Sequence, residues 1–489
     1  MKSRRSFLAL SGAAAAEAAL LAYGMRSRPA TAEAGALAPA QQPPQARAAG
    51  VRKNLTGEPF GVAMPVPRVL RPTRTTSDTD YYDVDIREAD VEILPGTTTR
   101  VYSYDGQYPG PTIRARTGRQ VKVRYRNQLP DETNVHLHGG HTPADSDGHP
   151  MALIAPGGYR DYTYPNRQQG TTLWYHAHGH GTEAEQVYRG LHGFYLIEDD
   201  RERNLRLPSG KYDVPILLRN IALDPDTGEL ILSDPNDRPI VQVNGKPQPH
   251  FSVAARKYRF RLLNASDHAT FTLTLPSGQL VQVGSDGGLL PAPVTRSQVT
   301  ISAGERVDLV VDFSRFPIGT QLFLNEAAAG AILRFDVTRH ADDDSRLPAQ
   351  LRALPALPPA TVQRDVTLSF NLDPDNTAGL INGKPYDPDR VDFTVKRGTT
   401  EIWQVSNGDV EFGIQHNFHL HLVQFRVLDR NGQPPAADDR GLKDTVPIGP
   451  GESVRLQATF TDYLGEYVYH CHVLAHASFG MMAQLNIVE

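Results

Sequence analysis

The chain has 489 residues, with 50 Lys and Arg against 55 Asp and Glu, a formal charge of −5 at pH 7, and one cysteine. That length suits two to four domains with separate cores. The lack of a basic excess argues against a nucleic-acid partner, and a lone Cys471 excludes an intrachain disulfide and any cysteine-rich metal or iron–sulfur site.

Residues 1–32 carry Lys2, Arg4 and Arg5, an apolar run from Phe7 to Leu21, and Ala30-Thr31-Ala32, the layout of a cleavable export signal. The string Ser3-Arg4-Arg5-Ser6-Phe7-Leu8 resembles a twin-arginine signal. It predicts the twin-arginine export machinery as a partner and an exported protein: periplasmic, cell-surface or secreted. Glu17 interrupts the run, which falls short of the ~20 residues that span a bilayer, and no later segment is apolar enough for a span. Residues 33–59, rich in Ala, Gln and Pro at their start, read as a disordered leader.

With 41 Gly and 38 Pro, many short strands joined by turns are expected. The same grammar occurs three times. Gly118–Asn127, Ala255–Asn264 and Gly398–Asn407 are alternating strands that end in Asn, each preceded by a glycine turn: Asp105-Gly106, Asn244-Gly245 and Asn382-Gly383. Downstream, Ile301–Phe313 is echoed by Ile448–Phe460 and, more faintly, by Ala155–Tyr164. Repeats of this length with period-two patterning predict an all-β chain of three β-sandwich domains. They are placed at 60–200, 201–345 and 365–489, with a Pro-rich linker at 346–364.

Of 17 histidines, ten sit in four motifs: His136-Leu-His138, His176-Ala-His178, His416-Asn-Phe-His419-Leu-His421, and His470-Cys471-His472 followed by His476. Residues i and i+2 of a strand share a face, so each His-x-His presents two imidazoles together. If the first and third repeats pack against each other, His136, His138, His176, His178, His419, His421, His470 and His472 converge into one cluster. Eight imidazoles suit a group of borderline ions, copper above all, and exceed the four ligands that zinc takes. Cys471 points away from its two neighbours, and His416 has opposite parity to His419. With His476 and Met481 they make a second site of two imidazoles, a thiolate and a thioether, the blue-copper set. The middle repeat has neither His-x-His nor Cys, so its expected work is spacing and shaping. The other histidines, His192 and His268 among them, read as surface or supporting groups.

Val135–Gly140 running on to Asp145–Pro150, His419–Arg430, Lys443–Val446 and His470–His476 resemble the three-domain multicopper oxidases, closest to the spore-coat laccase and bilirubin oxidase branch. That resemblance covers nearly all of the chain beyond the leader. It implies cupredoxin-like Greek-key domains, four coppers per chain, and oxidation of small aromatic reductants with O2 reduced to water. By motif position it implies a type 1 copper on His416, Cys471, His476 and Met481. His136 and His419 would hold type 2 copper, and His138, His176, His178, His421, His470 and His472 the type 3 pair. Asp147 stands where relatives carry an acid tied to proton delivery; its alternative role is that of a turn-forming aspartate. Relatives also carry acids beside the second type 1 histidine, where this chain has Ala475 and Ala477. A metallo-oxidase of Mn(II), Fe(II) or Cu(I) is the alternative function, a copper-free envelope scaffold and a nitrite reductase being the lesser ones.

Overall fold

A computed structural model describes residues 58–373 and 375–489. The expected export signal, and the leader up to residue 57, lie outside the described residues. The three repeated segments form the strands Gln120–Asn127, Lys257–Asn264 and Thr400–Asn407. Each pairs in parallel with an earlier strand, respectively Thr79–Val91, Asp213–Ile221 and Val362–Asn371. Each also pairs antiparallel with a later one, Tyr159–Tyr164, Arg306–Asp312 or Ser453–Thr459.

The terminal asparagines explain why each strand stops where it does. The Asn127 amide donates to the carbonyls of Asp131 and Ile154, Asn264 to those of Ala269 and Ile301, and Asn407 to those of Ile414 and Ile448, all at 2.7–3.0 Å. Their Oδ1 atoms accept from the N–H groups of Leu129, Ser266 and Asp409. A buried amide satisfied in this way holds the chain in the turn that leaves the sheet. The three glycine turns are equally alike. Asp105-Gly106, Asn244-Gly245 and Asn382-Gly383 all have positive φ at both positions, as a two-residue hairpin turn requires.

The described strands form six sheets, two from residues 74–198, two from 213–340 and two from 362–488. Three apolar cores lie within these pairs. Residues 60–64 run along the second repeat, not the first: Ala63 bridges His250, and Met64 is buried in the second core. The short helix Asp200–Asn204 straddles the junction expected at 200/201. Residues 341–361 contain no strand or helix, but Leu351 packs on Leu207 and Val310, which straps the linker to the second repeat. Trp174, Phe194 and Leu196 of the first repeat pack on Leu217 and Leu263 of the second. Leu474 of the third is buried in the core of the first, a burial that contributes roughly 1.5–3 kcal/mol. Among the described residues no helix is long and apolar enough to cross a membrane.

Two sheets carry the histidine motifs. In the first repeat the strand His136–His138 lies at a sheet edge beside Thr171–His176, with His136 opposite His176. In the third, His416–Leu420 lies beside Gly465–Cys471, with His419 opposite His470 and Phe418 opposite Cys471. His178, His421 and His472 fall just past the ends of their strands, yet their rings stay with those of their partners.

Candidate metal centre

The eight paired histidines meet between the first and third repeats, all of them buried. The Nε2 atoms of His178, His421 and His470 form a triangle with edges of 3.1–3.3 Å. A point equidistant from them lies under about 2 Å from each, close to the length of a metal–imidazole bond. Ligand atoms of His136, His138 and His176, and of His136, His419 and His421, gather within 4.8 Å of one another. His472 closes the cluster, its ring 4.6 Å from that of His138 and 5.4 Å from that of His176.

Hydrogen bonds on the outer ring edges fix which nitrogen faces inward. His136 Nδ1 donates to the Asp147 carbonyl, His419 Nδ1 to the Asp444 carbonyl, His176 Nδ1 to the Ala177 carbonyl and His470 Nδ1 to the Cys471 carbonyl, at 2.5–3.0 Å. His138 is reversed: its Nε2 meets Asp444 Oδ1 at 2.9 Å and Thr445 Oγ1 at 3.0 Å, leaving Nδ1 free. Inside the ring, Nε2 of His136, His176 and His419 and both nitrogens of His472 are buried without a hydrogen-bond partner. Native interiors rarely leave so many polar atoms bare, and a bound cation is what neutral imidazole nitrogens would satisfy. Burial holds His176 down to about 3 and His470 to about 4, so these imidazoles stay neutral, the form that can bind a metal.

On the other side of the same strand, Cys471 Sγ lies 3.7 Å from His416 Nδ1 and 3.5 Å from His476 Nδ1, and those two nitrogens are 3.1 Å apart. Burial pushes the Cys471 thiol up to about 12, so a thiolate here needs a cation beside it. Met481 is buried in the same core cluster, and its carbonyl accepts from the Cys471 N–H at 3.1 Å. Both sites suit copper: one is a soft and imidazole set, the other imidazole alone.

Asp147 is fully buried, and its Oδ2 accepts from His421 Nδ1 at 2.7 Å. Its N–H also closes the short turn Ala144–Ser146, the turn-forming role expected from the sequence. Burial holds its carboxyl well above the usual carboxylate range.

Several supporting residues escaped the sequence reading. Asp409 Oδ2 holds His416 Nε2 at 2.9 Å. Asp444 grips His138 and His419 together. From the middle repeat, the Arg306 guanidinium reaches Asp444, and Gly304, at φ +88°, lies so close that a Cβ there would stand 2.7 Å from His472 Nδ1. The motif Lys443–Val446 and the Asn407 turn were visible, but their targets were not. His192, read as a surface or supporting group, is fully buried against the Arg219 guanidinium at 2.8 Å.

Fold and site together define a copper-dependent oxidoreductase that uses O2. Residues 85–202 and 357–489 match the sequence profiles of the family described as Multicopper oxidase. A laccase of Bacillus subtilis (strain 168) is 35% identical over 89% of this chain and 99% of its own length. The crystal structure of a laccase from Pediococcus acidilactici superposes with a TM-score of 0.81 at 32% identity, over 87% of this chain and 94% of the other. A Campylobacter jejuni multicopper oxidase described as a metallo-oxidase gives 0.79 at 25% identity, over 88% and 96%. The chain belongs to the multicopper oxidase family.

Proposed function

We propose that this protein is an exported, laccase-like oxidase that takes single electrons from phenolic or other small aromatic reductants and reduces O2 to water. His416, Cys471, His476 and Met481 would hold a type 1 copper. His136 and His419 would hold type 2 copper, and His138, His176, His178, His421, His470 and His472 the type 3 pair. Copper, four ions per chain in this reading, supplies one-electron transfer and the chemistry of O2.

The chain's own part is wiring, orientation and proton handling. Cys471 lies between His470 and His472 in one strand, with its sulfur turned to the first site and the two imidazoles to the second. The His470 Nδ1–H bond to the Cys471 carbonyl adds a second, shorter connection of 3.0 Å. That arrangement carries the proposal, because O2 needs four electrons while a phenol gives one at a time. Asp147, bonded to His421, is placed to hand a proton toward the cluster.

The surroundings of His476 favour an aromatic reductant. The Phe370 ring lies 4.8 Å from it, the His268 ring of the middle repeat 6.0 Å, and Val410 and Phe412 are exposed in the loop before His416. A metallo-oxidase, as the Campylobacter jejuni neighbour is described, would need carboxylates over this edge. In the loop 408–415, Asp409 is engaged with His416 and Glu411 is the other acid.

The test is copper quantification with visible and EPR spectra of the loaded protein, followed by rates with phenols against Mn(II), Fe(II) and Cu(I). Four coppers per chain, an intense thiolate-to-copper band and faster phenol turnover are expected. A colourless, zinc-filled protein would overturn the reading.

A further inference from the structure

The helix Glu183–Arg189 begins just after His178, and its first turn packs on the helix Leu474–Ser478, which carries His476. Four polar atoms at this junction are buried with no hydrogen-bond partner: Nδ1 of His180, Oε1 of Glu183, the Tyr386 hydroxyl and the Ser478 hydroxyl. They belong together. The His180 and Tyr386 rings are 4.7 Å apart, Tyr386 packs with Ala477, and the Glu183 carboxyl feels the Ser478 hydroxyl and in turn acts on Tyr386. Bare polar atoms grouped in an interior mark a place for ordered water. The group has two ends. His178 lies two residues before His180, while exposed Glu466 acts on Tyr386 from the solvent side.

We propose that Glu183, 0% exposed, is a proton relay that feeds the O2-reducing cluster from solvent through these hydroxyl and imidazole groups and the water they hold. The proposal rests on the reading above that the eight-histidine cluster is where O2 is reduced.

The balance is simple. One O2 takes four electrons, all from the reductant, and four protons to give two waters. At each passage the Glu183 O–H bond breaks as its proton moves inward. The carboxylate left behind takes another proton from water on the Tyr386 side. Glu183 ends unchanged, and solvent is the net donor.

Burial pushes this carboxyl up to about 8, against the Thr182 N–H that donates to Oε2 at 3.0 Å and the nearby Ser478 hydroxyl. It is therefore a neutral acid through the neutral range. The titratable groups around it are His180 on its own segment and Tyr386 on the facing loop. Tyr386 is itself held up by burial and by Glu466, Glu183, Asp387 and Asp392.

The competing role is structural, a carboxyl that only caps the start of its helix. Copper-loaded wild type, Glu183→Gln and Glu183→Asp separate the two. Infrared difference spectra across pH 6–9 should show a protonated carboxyl in wild type that titrates near pH 8 and is lost in E183Q. In stopped-flow, anaerobic bleaching of the blue band by a phenol should be unchanged in E183Q. Recolouring with O2 should slow about tenfold or more, and E183D should recover part of it. Recolouring within twofold of wild type overturns the relay. So does lost copper, misfolding or equal slowing of both half-reactions in E183Q and E183D alike, which would mark a structural carboxyl. Wild type that binds no copper but keeps the infrared band would instead remove the reading on which the relay rests.

Discussion

Arg306 of the middle repeat and Asp444 of the third are both fully buried, with Nη1 2.7 Å from Oδ1, and that same Oδ1 lies 2.9 Å from His138 Nε2 of the first. One ion pair thus joins all three repeats at the metal centre. Arg306→Met strands the Asp444 carboxylate in a dry interior, an imbalance that costs about 3–5 kcal/mol. It also loosens Asp444, the group that orients His138, and loss of such outer support lowers metal affinity by roughly 10–100-fold. Urea denaturation and chelator competition measure the two effects, and wild-type values in both would show that the pair supports nothing.

Asp409 acts on the other site. Asp409→Ala leaves His416 Nε2 without its 2.9 Å partner. The blue absorbance per chain should fall at limiting copper while the eight-histidine cluster still fills, since Asp409 touches none of its members. Equal loss from both sites, followed by EPR during copper titration, would contradict this.

Gly304 admits no side chain. At φ +88° an L residue costs about 1–2 kcal/mol, and its Cβ would press on the His472 ring. Gly304→Ala is expected to displace that ring, reduce copper occupancy at the cluster and slow O2 consumption, with blue colour retained. A crystal structure of the variant with His472 unmoved would refute it.

Glu183 makes stability depend on pH. Burial moves its carboxyl from 4.5 up to about 8. Between those values the unfolded chain is ionised here and the folded chain is not. The stability of the neutral form is therefore complete below about pH 4.5 and is lost as pH rises toward 8. Glu183→Gln has no such loss, so its stability relative to wild type should grow with pH over that window by at most about 1.4 kcal/mol per unit. Denaturation at pH 4.5 and pH 8 gives the comparison. A constant difference would mean that Glu183 is already charged in the folded state.

What could be read from the sequence was whatever repeats or alternates. The Asn-ended strands and the His-x-His pairs carry their geometry in the chain itself, because a strand has period two and each turn recurs. Parity therefore separated Cys471 from His470 and His472 without any coordinates. The supporting layer has no such signal. Arg306 meets Asp444, and Glu183 meets Ser478, only because separate repeats dock. Nor does any spacing announce that His138 turns its Nδ1 inward while its neighbours turn Nε2. That choice belongs to Asp444 and Thr445, which are remote along the chain. Residues 60–64 were assigned to the first repeat by position, but Phe60, Val62 and Met64 exchange backbone hydrogen bonds with Gln248 and His250 and Met64 is buried in the second core, partners that are remote along the chain.

Leu474 sits a few residues beyond Cys471, yet it is buried among the apolar side chains of the first repeat. A third repeat made alone would hold this leucine bare and own only half of the shared imidazoles. Blue colour could still develop in such a fragment, because the four ligands proposed for it all belong to the third repeat. Capacity to consume oxygen would arise only once the leucine had been plugged into its socket, so colour should come first and oxygen uptake second as the halves are recombined.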